Sequence, residues 1–553
     1  MKPIIVGAVA GASPAIDDRM LPESMATNVV DCEPGRGNIR PLRARSTVAT
    51  VPASPQRKTI WRMGRDVVDP ANYWLTSQNV ADFTLMFGSD TTERTAYTGD
   101  GSPRWTNNVI GLGGGPPYPQ AYRELAVPAP LTAATVTLNA DGSTGTSANR
   151  YYVHTFVNDI GWESAPSPVS SALFVKPGAD ITIGSLPAAP PGNYGITTRR
   201  IYRTQPEDAS VNVADYFLLA EITIGTSSFN DTGQALGELL PTADPRVIGS
   251  SWQPPPTNGF SIKALWNSMY AMLSGKQVLF SVAGAPYAWP IKQRRDVKDT
   301  PVGMGIWQQN LVVLTTGRPV VYQGADPLSM QDTPMPEAYA CVSSRSIVSF
   351  QYGVVWASNE GLACTWQDRL LTEGIIWPEQ WKALVPSTMI AGRWGRFYVC
   401  AFNDGTSRGF MFDPRNPADG IWYLSTGFDA CHYDELADEL FVLEGANVRK
   451  FGAGPSKLTG TYTSKRFLQT EANSYGVAQV VANGYPGTLT VRARWTDASG
   501  VTQTHTETRS VANALPFKLQ GGFLAEDWQV EYSGTADAPA IRLARSMDDL
   551  KGG

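Results

Sequence analysis

Catalysis and metal binding need side chains that can converge, and this chain supplies few. Of 553 residues only three are histidine, His154, His432 and His505. They fall in separate strand-like regions, so neither a metal cluster nor a Ser/His/Asp set is indicated. Asp434, Glu435, Asp438 and Glu439 bracket a single hairpin. Paired carboxylates in a funnel suffice for glycoside hydrolysis, but acids at a hairpin are expected to solvate it. Gly111-Leu-Gly-Gly-Gly-Pro-Pro-Tyr-Pro raises the question of phosphate binding, yet no Lys-Ser/Thr follows and no helix opens after it, so it reads as a linker. The five cysteines, Cys32, Cys341, Cys364, Cys400 and Cys431, are scattered with no CxxC, as buried thiols of a chain folded in a reducing cytoplasm would be. No cofactor is expected.

Binding chemistry has better candidates. Lys292-Gln-Arg-Arg-Asp-Val-Lys is a dense basic cluster. A solvated loop or a subunit salt bridge is its ordinary use; the sharper expectation puts Lys292, Arg294, Arg295 and Lys298 on a channel or a ring interface. Arg199, Arg200 and Arg203 form a second cluster with the same ordinary reading. The loop from Asp368 to Trp381 carries Leu370, Leu371, Ile375, Ile376 and Trp377, more apolar surface than a hairpin needs. It is expected as an interface, a constriction in a lumen, or local core. Ten of the sixteen tryptophans lie between 251 and 455. Aromatic faces can stack on sugars or bases, but filling the gaps between neighbouring sheets is their expected role.

The elements that must position these residues recur. Strand-like runs aligned on Met269, Leu311, Val354, Phe397 and Leu440 repeat after 42, 43, 43 and 43 residues. Each is followed by a turn and a second strand ending in an aromatic: Phe280, Tyr322, Trp366, Phe412 and Phe451. A period of about 40–45 residues with several short strands per unit is the signature of propeller blades. The fold class expected is all-β: an interrupted β-propeller of about six blades. Residues 1–55 read as an extended arm that lies along another domain or a neighbouring subunit. Residues 56–125 hold a first propeller part, one four-stranded blade between Thr59 and Trp105. Residues 126–250 alternate with a period of two, as in an inserted β-sandwich. Residues 251–455 hold the main blades, the last short enough that the chain's ends are expected to share a blade. Residues 456–553 read as a C-terminal β-sandwich.

Composition narrows the function. Gly and Pro number 52 and 41, an excess that fits many turns. Charged residues are 17% against about 25% usually, so much of the surface is expected to be covered in an oligomer. A net charge of −5 argues against a coat on nucleic acid, which needs clustered Lys and Arg, but not against a conduit past which DNA slides. The N-terminus has one Lys and an early Pro3, a poor signal peptide, and no apolar run is long enough for a membrane span.

The inserted segment Tyr152-Val-His-Thr-Phe-Val-Asn-Asp-Ile-Gly-Trp-Glu-Ser-Ala-Pro-Ser-Pro resembles the fibronectin type III-like modules of phage structural proteins. The order of parts is similar to that of tail nozzle (tail tubular protein B-like) proteins of short-tailed bacteriophages. The residues carrying that resemblance are Glu93-Arg-Thr-Ala-Tyr-Thr-Gly-Asp-Gly-Ser-Pro-Arg-Trp, Trp162-Glu-Ser-Ala-Pro-Ser-Pro, Leu515-Pro-Phe-Lys-Leu, Trp528-Gln-Val-Glu-Tyr-Ser-Gly and Leu543-Ala-Arg-Ser-Met-Asp-Asp-Leu. The resemblance implies a non-enzymatic virion protein, made in the host cytoplasm and resident in the tail. It implies a homohexameric ring that docks on the adaptor/portal complex, meets tail fibres or tip proteins, and passes double-stranded DNA without reading its sequence. The alternative is a surface carbohydrate-binding or carbohydrate-cleaving propeller. Ser358-Asn-Glu-Gly-Leu-Ala-Cys-Thr-Trp resembles the sialidase turn motif, but Glu360 stands where Asp is expected, the glycine is misplaced, and the motif occurs once.

Overall fold

The computed structural model describes residues 3–35, 37–63, 73–205, 215–240 and 253–550. Trp252 and the boundary expected near residue 250 lie outside them. The protein is nearly all β, about 45% strand and 5% helix. It divides into two compact units: Met1–Gln78, Val302–Val321 and Thr333–Gly553 form one, and Asn79–Pro301 with Tyr322–Asp332 the other.

In the first unit the recurring runs are strands buried on both faces. Gly353–Ala357 is buried throughout, and Phe397–Asn403 and Glu439–Glu444 are buried at every interior position. A continuous apolar run rather than an alternating one is what a strand covered on both sides requires. Each is the second strand of its sheet, not the first. The shorter strands Val348–Phe350, Ile390–Trp394 and Ala430–Asp434 precede them and pair antiparallel with them. Trp394 pairs with Phe397 across a two-residue turn, and Gly395 takes φ 55° there, a left-handed conformation that glycine adopts without cost.

These first strands, with Thr59–Arg62, lie side by side in the order Val348–Phe350, Ile390–Trp394, Ala430–Asp434, Thr59–Arg62. Side chains link each to the next. Arg393 lies over the rings of Phe350 and Tyr433 at 5.9 and 5.0 Å. His432 packs on Trp61 at 4.6 Å, and Arg62 donates to Asp434 at 3.0 Å. The approach is close at Gly392, where a Cβ would meet Leu440 Cδ1 at 2.6 Å.

The arm is extended, and it is woven into its own chain. Ile4–Val6 pairs with Ala540–Ala544. Ala26–Val30 pairs with Gly460–Ser464 on one side and bridges Tyr423 in parallel on the other. Ser46–Thr50 pairs with Asn447–Lys450 and completes the sheet of the last repeat, so the two distant segments share a sheet. Ile4, Val6, Val29 and Leu42 are buried with Val480, Leu489, Val530 and Leu543 of the C-terminal segment. Each such side chain contributes about 1.5–3 kcal/mol on burial against about 1–2 kcal/mol of backbone entropy per ordered residue. Strand pairing must therefore add to the apolar contacts for the arm to hold.

The strand runs between Thr59 and Trp105 do not make one sheet, which corrects the expectation. Thr59–Arg62 pairs only with Trp74–Ser77 among the described residues. Asp82–Leu85, Thr95–Thr98, Arg104–Thr106 and Arg123–Glu124 form a separate sheet in the second unit. Side-chain chemistry fixes the latter: the Thr84 and Thr98 hydroxyls accept hydrogen bonds from the Ala264 and Ile262 amides, and Lys263 meets Asp82 at 3.1 Å. Strand spacing counts strands but does not choose partners.

The second unit also contains Phe260–Ala264, Tyr270–Ser274, Gln277–Phe280 and Arg294–Asp296 as one four-stranded sheet. The inserted segment has two three-stranded sheets. Thr135–Ala140, Asp180–Gly184 and Phe229–Asp231 form one; Tyr152–Asn158, Ile196–Thr204 and Tyr216–Thr223 form the other. Tyr152, Ile181, Ile183 and Ile201 share a core. The edge of Tyr152–Asn158 is closed by serines at every third position. The amides of Ser164, Ser167 and Ser170 donate to the carbonyls of Phe156, His154 and Tyr152 at 2.9, 2.8 and 3.0 Å. Their hydroxyls accept from the amides of the same three residues at 2.9, 3.1 and 3.0 Å. This is the physical content of the Trp162-Glu-Ser-Ala-Pro-Ser-Pro phrase.

Candidate functional site: two recesses at the ends of neighbouring first strands

The side-by-side strands of the first unit have a recess at each end. One sits where the strands begin. Gln56, Arg57 and Lys58 precede Thr59–Arg62; Ser343 and Arg345 precede Val348–Phe350; Ser387 and Thr388 precede Ile390–Trp394; and Asp429 precedes Ala430–Asp434. Asn403 and Ser407 complete a volume of about 350 Å³. Three cations and one carboxylate line it. Arg345 ties the strand starts together by donating to the carbonyls of Lys58, at 2.7 Å, and Asp429. Burial pushes its guanidinium below its ordinary pKa, with Cys431 and Asp429 opposing. Arg57 is 7% exposed, and its Nε has no hydrogen-bond partner.

The other recess, about 550 Å³, lies where the strands turn back: at Trp307 and Gln308, Phe350 and Gln351, Arg393, and Tyr433 to Asp438. Its chemistry is aromatic and acidic. The Tyr433 hydroxyl donates to Asp438 at 2.6 Å, and burial together with that carboxylate pushes the phenol up to about 12. Glycoside hydrolysis needs carboxyl groups flanking a bond; here Glu435 and Asp438 come from one hairpin.

The sequence candidates are dispersed. Arg294 and Arg295 lie on the strand Arg294–Asp296 of the second unit. Arg295 donates to the carbonyls of Pro327 and Leu328 at 2.7 and 2.9 Å, and Arg294 reaches Gln253 at 3.4 Å. Lys292 and Lys298 are exposed. Leu371, Ile375 and Ile376 are buried with Trp381 and Phe410 in the core of the first unit, and Leu370 is half-buried. Of the three readings, local core describes that loop, and only Trp377, 56% exposed, presents a large apolar face. Trp289, Trp356, Trp381 and Trp422 are buried; the first three donate to backbone carbonyls at 2.8–2.9 Å. They pack.

Two further expectations are corrected. Asp434 does not solvate its hairpin; it is 1% exposed and takes the hydrogen bond from Arg62. Arg199, Arg200 and Arg203 lie on the strand Ile196–Thr204 and, rather than being solvated, meet partners within the chain. Arg203 meets both oxygens of buried Asp231 at 2.7 and 2.6 Å, and the Tyr152 hydroxyl adds a third bond at 2.8 Å. Arg200 meets Glu163 and Glu221, both at 2.8 Å. Arg199 donates to the carbonyls of Thr226 and Pro187. Burial pushes the cysteine thiols up: Cys32, Cys341 and Cys431 to about 12 and Cys364 to about 11. Unreactive packing groups behave this way. The Arg57 recess was missed, because no local pattern marks residues drawn from five separate segments.

No family model matches the chain, and no curated protein matches it. Among solved structures, BBS1N in complex with ARL6DN is 9% identical with a TM-score of 0.24, covering 57% of this chain and 94% of that one. The extracellular domain of a hybrid two-component system from B. thetaiotaomicron is 10% identical with a TM-score of 0.24, covering 88% and 82%. A glycoside hydrolase family 43 arabinoxylan arabinofuranohydrolase from Bacillus subtilis is 8% identical with a TM-score of 0.16, covering 66% and 93%. Likenesses at these scores assign neither a fold family nor an activity.

Proposed function

We propose that this chain is a structural, non-enzymatic tail nozzle protein of a short-tailed bacteriophage. In this reading it is an interrupted β-propeller with an inserted fibronectin type III-like sandwich and a C-terminal sandwich. It assembles as a homohexameric ring that extends the adaptor channel and conducts double-stranded DNA during ejection. The observation that carries the reading is the weave of the arm: Ser46–Thr50 completes the sheet of the last repeat, and Ala26–Val30 joins a repeat sheet to the C-terminal one. Segments distant in sequence are thereby locked into one wall, as a tube under load requires. The side-by-side first strands support the propeller, since blades pack through their neighbours. A net charge of −5 suits a bore that repels a duplex rather than binding it.

Negative-stain imaging of the purified protein tests this reading. Rings with a central bore wide enough for a duplex are expected; isolated single chains would overturn it. A second reading, a surface carbohydrate-binding or carbohydrate-cleaving propeller, is favoured by one feature, the recess of Trp307, Phe350, Tyr433, Glu435 and Asp438. Glycan-array binding by single chains is the result that reading requires.

A further inference from the structure

The recess at the strand starts holds a buried charge that no direct partner meets among the described residues. Arg57 is 7% exposed, and no hydrogen bond, ion pair or ring contact is made by its guanidinium among the described residues. A buried cation is costly unless it is paired. The polar part of the lining is suited to supplying donors, beside apolar surface from Ile390, Ala401, Phe402 and Phe428. Lys58 is exposed, and Ser387 and Ser407 offer hydroxyls at the rim. Asn403 presents its amide N–H groups, its carbonyl being taken by the Gly405 amide at 3.0 Å. Among the described residues Asp429 is the single acid of the lining, and one of its oxygens already accepts from the Gly445 amide at 2.8 Å.

We infer that the recess lined by Arg57, Lys58, Arg345, Ser387, Asn403 and Ser407 is a binding site for a phosphate-type oxyanion, free or as the ester of a small molecule. Three cations against one carboxylate leave two positive charges. That matches a phosphate monoester, which carries about −1.5 to −2 at neutral pH, better than a carboxylate at −1. Guanidinium groups donate to phosphate in a planar fork, and the hydroxyl and amide donors suit its remaining oxygens. The volume of about 350 Å³ exceeds what a bare phosphate fills, which leaves room for a small ester substituent. Nothing in this inference depends on the chain being a nozzle; it assigns a ligand class to a recess that an inert wall would not need.

Isothermal titration of the full-length protein with inorganic phosphate, glycerol phosphate and acetate, each at ionic strength matched with NaCl, tests the site. Both phosphates are expected to bind, with acetate weaker by about tenfold or more, and tighter binding of the ester would identify that source. Arg57→Gln is expected to weaken phosphate by about tenfold or more, the scale of one lost charge-assisted contact. Ser387→Ala and Ser407→Ala, at the exposed rim where folding is not at stake, are each expected to weaken it severalfold. No binding by the unmodified protein, acetate as tight as phosphate, or phosphate affinity unchanged in all three variants would overturn the assignment.

Discussion

Arg203 in the inserted segment and Arg57 at the strand starts of the other unit are buried alike, at 6% and 7% exposure, and are treated in opposite ways. Arg203 spends its charge on Asp231, which is itself fully buried and bonded to Tyr152. Arg57 lines a recess whose one carboxylate among the described residues, Asp429, makes no hydrogen bond or ion pair with it. The first arrangement builds a fold and the second leaves a demand that a ligand can meet. Charge count alone does not distinguish them; the position of the nearest carboxylate does.

The largest effect should come from breaking the paired side of this contrast. Arg203→Met leaves the buried Asp231 carboxylate with only the more distant Arg150 guanidinium at 4.0 Å and should destabilise the second unit by about 3 kcal/mol in urea unfolding. A loss below about 1 kcal/mol would mean that Asp231 is satisfied without Arg203.

His154 extends the test to pH. Both its ring nitrogens are buried without partners, and burial, reinforced by Arg199, pushes its pKa down from 6.5 to about 4. The folded state therefore refuses a proton that the unfolded state takes up. Stability should fall as pH drops below about 6.5, with a limiting slope of about 1.4 kcal/mol per pH unit, and level off near pH 4. His154→Phe should flatten that part of a pH series of unfolding curves; an unchanged slope would assign it to other groups.

On the unpaired side, Arg57→Gln in phosphate-free buffer should change stability by less than about 1 kcal/mol, or raise it, because an uncompensated buried charge is removed. A loss of several kcal/mol would reveal a structural partner. The smallest effect belongs to Lys292→Ala with Lys298→Ala. Both are exposed, so stability should shift by no more than about 0.5 kcal/mol. If this cluster serves a channel or a ring interface, assembly or ejection should fail while stability holds. Arg294 and Arg295 are unsuitable for that test because Arg295 is committed to the Pro327 and Leu328 carbonyls.

What was legible in the sequence follows the same division between local and distant partners. The recurring runs at Leu311, Val354, Phe397 and Leu440 are visible because strands buried on both faces are continuously apolar. The first strands beside Val354, Phe397 and Leu440 are not, being three to five residues long, with half-exposed residues such as Arg393 and Trp394 at the end of one of them. The arm reads as extended because it has little to bury by itself, but the strands it pairs with lie about four hundred to more than five hundred residues away, as in Ser46 with Lys450 and Ile4 with Leu543. Arg199, Arg200 and Arg203 read as solvated or as a subunit salt bridge because Glu163 and Asp231 are 37 and 28 residues distant. Period-two alternation does place Arg199 and Arg203 on one face and Arg200 on the other, and that signal, taken seriously, pointed to two separate partners. The loop from Leu370 to Trp377 reads as surplus apolar surface until the core formed with Phe410 and Trp381 is seen to absorb it. Nothing local marks Arg57, whose significance comes from what is missing around it.

The account stands or falls on assembly. Multi-angle light scattering of the full-length protein on elution from size exclusion measures the particle mass directly. The nozzle reading predicts a species of about six times the chain mass of 59.8 kDa. A single species at 59.8 kDa, unchanged across concentration, would contradict it.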